Sequence, residues 1–105
     1  MQASVIRKLE QIVERHEEVS ALLSDTETIS DQDRYRSLSV EYAQLTPIVE
    51  TFTAWQQALA DLDSAAEMLR DPDPGIQQMA EEESSNANKR SAQLELDLQK
   101  LLLPR

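Results

Sequence analysis

Residues 22–45 read LLSDTETISDQDRYRSLSVEYAQL, and the reading of this stretch decides the fold. Leu22 and Leu23 close an apolar run, and residues 24–28 are polar. Ser30 stands three residues before Asp33, with Asp31 also in the first turn. A serine hydroxyl at that place can accept a bond from an unpaired backbone N–H, and first-turn carboxylates favour the positive end of a helix. The arrangement is close to a capping box, with Asp in place of Glu or Gln, and it predicts Ser30 as the helix cap. Tyr35, Leu38, Tyr42 and Leu45 then recur at three- and four-residue spacing and share one helical face. The stretch therefore reads as a helix end, a polar loop and a second helix start.

Upstream, Val5, Leu9, Ile12, His16, Val19 and Leu23 step alternately by four and three, with Ile6 and Val13 widening the stripe. This predicts a first helix over about 3–23. Its opposite face carries Arg7, Glu10, Glu14, Glu17 and Glu18. Arg7 and Lys8 sit near the N-terminal end, against the macrodipole preference. Downstream, the seam continues through Leu45, Ile48 or Val49, Phe52, Trp55, Leu59, Leu62, Ala66 and Leu69. A second helix over about 31–70 is predicted, with a kink or short break at Pro47. Asp71-Pro72-Asp73-Pro74-Gly75 is the strongest stop signal, with Asp73 suited to cap a third helix and Pro74 to open it. That helix is expected over about 74–102 on the stripe Ile76, Met79, Ala80, Ala87, Leu94, Leu98 and Leu101. Residues 81–93 hold few large apolar side chains and read as its weakest, most exposed part.

The expected fold is all-α: an elongated antiparallel three-helix bundle in a single domain, with a long, Pro-kinked central helix. The chain has one Gly and four Pro in 105 residues, and no segment alternates like a strand. A formal net charge of −10 disfavours non-specific binding to nucleic acid or to an anionic membrane and suits contact with basic protein surfaces. No cysteine is present, so disulfide and thiol chemistry are excluded, which suits a reducing cytoplasm. The opening MQASVIRKLEQIV lacks the apolar centre of a signal peptide, and no apolar run approaches the length of a membrane span.

Chemistry-bearing patterns are sparse. His16 is the only histidine and falls on the first seam, where a packed structural role is expected rather than metal binding. Asp71-x-Asp73 with Glu82 has the outline of a calcium loop, but its sixth position is Ile76 instead of Gly and two prolines intervene. Asp31-x-Asp33 fails because its twelfth position is Tyr42. Glu81, Glu82 and Glu83 read as a solvated face, and the aromatic residues of the second helix as core. No catalytic residue, metal or cofactor is expected. Arg34 and Arg36 beside the loop are a weak signal for RNA phosphate. Asp25, Glu27, Asp31 and Arg34 are the expected partner-contact residues, at one tip of the bundle.

LLSD, then ISD, then RYRSLSVEYAQL with a Pro two residues on, DLDSAAEMLRDPDP, QMAEEE and the closing LQKLLLPR occur in an order that resembles the N-terminal domain of bacterial class I peptide chain release factors. Within that family the ISDQDRYRSL segment is similar to the branch that reads UAA and UAG. The resemblance spans almost the whole chain. It implies an accessory role in stop-codon-dependent termination, in the cytoplasm. It also implies a chain that continues past Arg105, and contacts with the ribosomal stalk base, its protein and nearby rRNA, and with the recycling GTPase. Codon reading and hydrolysis are not implied. The family's Gly-Gly-Gln cannot form in a chain with one glycine, and no proline is followed two residues later by Thr. The other reading is a stand-alone acidic helical adaptor unrelated to the ribosome. Leu101-Leu102-Leu103 covers most of a helix circumference, so at least one leucine should face outward and support weak self-association.

Overall fold

The computed structural model describes residues 1–104. Among them the chain is all α, with four helices in order: α1 (Ala3–Leu23), α2 (Thr26–Ser30), α3 (Gln32–Met68) and α4 (Pro74–Leu101). It divides into two compact units, residues 1–50 and the part from Thr51 onward. No helix among the described residues is long and apolar enough to cross a membrane.

In the first unit α1 turns back through α2 into the first half of α3. Leu9 and Val19 are fully buried and Leu38 nearly so. Val5, Ile6, Ile12, Val13, His16 and Leu23 are half-buried beside them, so the predicted α1 stripe is the packed face. Arg15 holds Glu41 through both carboxylate oxygens, Nε at 2.6 Å and Nη2 at 2.8 Å. His16 stacks on Tyr42 with ring centroids 4.5 Å apart. The Thr46 hydroxyl donates to the Tyr42 carbonyl at 2.7 Å, which leaves its lone pairs to accept the His16 Nε2–H at 3.0 Å. The lone histidine is thus a packed, hydrogen-bonded side chain with no second imidazole.

Two features differ from the sequence expectation. The polar segment after α1 is not an open loop, because residues 26–30 form a one-turn helix, which makes four helices instead of three. Asp25 nucleates that turn, its carboxylate accepting the Glu27 N–H at 3.3 Å, and Thr28 is fully buried at its centre. The cap of α3 is Asp31 instead of Ser30. Ser30 is the last residue of α2 and its hydroxyl donates back to the Glu27 carbonyl at 2.9 Å. Asp31 is extended and its carboxylate accepts the Arg34 N–H at 3.2 Å.

Pro47 lies inside α3, and the helix is not broken there. Proline removes one donor at a cost of about 3 kcal/mol in a helix interior. Leu45, Thr46, Ile48 and Val49 are half-buried on either side of the exposed Pro47, so packing holds the segment helical.

In the second unit the rest of α3 pairs with α4. Asp61 meets Arg90 at 2.9 Å, and residues 54–58 share a groove with residues 90–94, so the two segments are antiparallel. Phe52 and Trp55 stack at 5.8 Å and are almost fully buried. Beyond them the seam is Ala58, Leu62 and Ala65 rather than the expected Leu59, Ala66 and Leu69. Leu59 and Leu69 are 38% and 39% exposed. On α4 the buried set is Ala80, Ala87, Ser91 and Leu98, while Met79 is 61% exposed. The distance between packed helices depends on the side chains at the contact, so a seam of small residues is compatible with a close approach. Residues 81–93, expected to be the exposed stretch, contain two of these buried positions.

The connection behaves as its residues dictate. Asp71 accepts the Asp73 N–H at 2.9 Å, and Asp73 accepts the Gly75 N–H at 2.9 Å with Pro74 at the first helical position. Both carboxylates are engaged by backbone donors, as turn and cap roles require. Among the described residues no group of three or more His, Cys, Asp or Glu side chains is placed to hold a metal ion.

Candidate functional site

Of the two compact units, the first carries the predicted contact residues, and they fall around α2. Asp25 sits at its N-cap and Glu27 in its first turn. Asp31 ends it, and Arg34 lies in the first turn of α3. All four are exposed. They divide by task. The carboxylates of Asp25 and Asp31 are committed to helix ends. The head groups of Glu27 and Arg34 make no hydrogen bond or ion pair among the described residues. The structure thus brings the four into one short segment without converging them on a common point, and two of them have local folding duties.

Sequence reasoning missed part of this surface. Periodicity does not single out Ile29, and it places Tyr35 in the core. Ile29 is 54% exposed and Tyr35 43% exposed. Both line a shallow groove with Gln32, Arg36 and Ser39. Tyr35 fits the three- and four-residue spacing of the buried face, but Leu38 takes the buried place and Tyr42 the half-buried one. The one-turn helix α2 was the missing information, since Ile29 at its end stands beside Tyr35. The signal that could have found it was Asp25 followed by Thr-Glu, a cap with an acidic first turn.

The electrostatics of this unit centre elsewhere. The Arg15 guanidinium, hydrogen-bonded to Glu41, holds that carboxyl below the usual carboxylate range against the opposing effect of partial burial. The same hydrogen bond raises the Arg15 guanidinium's own pKa, with the charges of Glu41 and Glu18 adding to it. This is a bracing pair, without the like-charge partner or deep burial that prepares a carboxylate for acid–base work.

At the far end of α4, Leu103 is 66% and Leu101 37% exposed, so the leucine run does present apolar surface outward. Arg105, where the resemblance implies continuation of the chain, lies outside the described residues.

The PCRF domain family matches the chain over residues 12–105, from the middle of α1 to the last residue. That family is not itself a catalytic enzyme family, and its role is in translation termination. A match of this extent, over the helical fold just described, settles membership: the chain belongs to the PCRF domain family, the N-terminal region of class I peptide chain release factors.

Proposed function

We propose that this chain is the accessory N-terminal domain of a bacterial factor that terminates translation at UAA and UAG. It acts in the cytoplasm by docking to the ribosomal stalk base, to the recycling GTPase, or to both in turn, and it neither reads the codon nor hydrolyses the ester. The observation that carries this reading is the family match across residues 12–105. The codon assignment rests on the ISDQDRYRSL segment and its resemblance to the UAA/UAG branch. The surface that contacts the partner is the tip around α2, where Glu27 and Arg34 present charged head groups that pair with no other described side chain.

The test follows from the division of labour at the tip. Replacing Asp25 or Asp31 would unseat a helix cap and confuse folding with docking. Glu27→Lys combined with Arg34→Glu reverses the two uncommitted charges and leaves both caps. In a complete release factor carrying this domain, the double variant should slow GTPase-dependent recycling and weaken ribosome association, more strongly at low salt. Helix content and the choice among stop codons should be unchanged. Release and recycling kinetics identical to the parent at every salt concentration would remove this tip from the interaction.

A further inference from the structure

Ile29 (54% exposed), Tyr35 (43%) and Val40 (52%) are large apolar side chains that the first unit leaves in solvent. Ile29 and Tyr35 line one groove, and Val40 lies one helical turn beyond Arg36 of the same groove. Arg36 is exposed and makes no ion pair among the described residues. The positions four residues away on either side, Gln32 and Val40, are neutral, and no ion pair joins Arg36 to Asp33, three residues back. Ile29 and Tyr35 line the groove with that guanidinium, in a chain whose acidic side chains outnumber the basic ones 20 to 10.

We infer that this groove seats a segment of a partner protein that carries an apolar side chain beside a carboxylate. The apolar group lies between Ile29 and Tyr35, and the carboxylate pairs with Arg36. Charge complementarity selects this occupant. Arg36 in the groove calls for an anion, while the chain's net charge of −10 disfavours a polyanion such as RNA. A single carboxylate on a largely apolar segment satisfies both conditions. Arg36 can receive it in a bidentate fork, and Gln32 and Ser39 are positioned to meet backbone polar groups along the same segment. The inference rests on the tip being a contact surface, as proposed above, and adds the chemistry of what is contacted.

The probe is a synthetic helical peptide with leucines four residues apart flanking a glutamate. Its controls are the same peptide with lysine for that glutamate and a short oligouridylate. Each is titrated into the isotope-labelled chain while backbone amide shifts are followed. The glutamate peptide should move the amides of Ile29, Tyr35, Arg36 and Ser39. In the Arg36→Glu variant its affinity should fall about 5-fold or more, the factor expected for a partly exposed ion pair, and the lysine peptide should gain. Four results would overturn the inference: no movement at those amides, equal binding of the two peptides, preferential response to oligouridylate, or the same shifts on concentrating the chain alone, which would make a second copy the occupant. The outcome separates from the ribosome test. Peptide binding with unaltered recycling in the Glu27→Lys, Arg34→Glu factor keeps the groove and removes that docking role; the converse keeps the docking role and removes the groove.

Discussion

Residues 1–50 bring two helices together with Leu9, Val19 and Leu38, whereas the unit from Thr51 onward adds to Phe52, Trp55 and Leu98 a set of small buried side chains, Ala58, Ala65, Ala80, Ala87 and Ser91. The first unit fills its interface with branched aliphatic side chains and braces it with polar groups that reach across: the Arg15 fork on Glu41 and the His16–Tyr42–Thr46 stack. The second places its bulk in one aromatic pair, Phe52 and Trp55, and in Leu98, and fills its other buried positions with small residues. Its cross-helix ion pair, Arg90 with Asp61, involves an arginine side chain that is 51% exposed. The lesson is that one protein can pair helices by filling space or by removing it. The two modes fail under opposite insults, because a wide seam is damaged by truncation and a narrow one by enlargement.

The largest effect belongs to the aromatic pair. Trp55 is 6% exposed and stacked on Phe52, so Trp55→Ala removes one of the two rings of the second unit's aromatic pair. The expected loss is about 3–5 kcal/mol. The indole N–H has no hydrogen-bond partner among the described residues, so the loss is one of packing alone and should fall toward the lower end. Against the stability of a small domain, that is enough to unfold a large fraction of molecules. Equilibrium urea unfolding gives the number, and native tryptophan emission gives an independent check. Emission near that of indole in water would mean that this seam is wrongly built.

Next comes Ala87→Leu, the opposite insult. Ala87 has no exposed surface, and the buried positions nearest it along α4, Ala80 and Ser91, are small as well. A leucine there should cost about 1–3 kcal/mol by overpacking, even though it raises hydrophobicity. The same change at the exposed Ala66 should be close to neutral. If thermal unfolding shows Ala87→Leu stabilising, the second seam is loose and the contrast between the units collapses.

Much of this was legible in the sequence, and the failures share a cause. The first helix, the Asp73–Pro74 start of the last one and the burial of Trp55 follow from periodicity and cap chemistry. The register beyond Trp55 does not. Hydrophobicity favours Leu59 over Ala58, whereas close helix approach favours the alanine, and only the partner helix decides. Ser30 and Asp31 have equivalent capping chemistry, so the choice between them turned on whether Ser30 already belonged to a preceding helix. At the tip, the sequence located the exposed segment and its charges. It could not say that Asp25 and Asp31 hold helix ends, or that Ile29 and Tyr35 face outward. An amphipathic pattern marks a face without telling how much of it a neighbour covers.

The smallest effect separates the two units by pH. Glu41 is the carboxyl whose pKa is clearly lowered, through the Arg15 hydrogen bond. A carboxyl with a depressed folded-state pKa contributes stability that is fully present above its ordinary value of 4.5 and is lost as pH falls through the folded-state value. The pair is partly exposed, with side chains 41% and 34% accessible, so screening leaves only a modest contribution. Glu41→Gln should therefore lower stability slightly at neutral pH and flatten its decline on acidification. Arg15→Met should have the same two consequences, and the double variant should add little to either, because each single change already removes the shared interaction. In the second unit Asp61→Asn breaks the cross-helix pair with Arg90 and serves as the comparison. Stability measured by urea unfolding from neutral pH to below 4.5 compares the slopes directly. If Glu41→Gln and Asp61→Asn alter the acid limb equally, the Arg15 fork has no special place, and the polar bracing of the first unit is no stronger than that of the second.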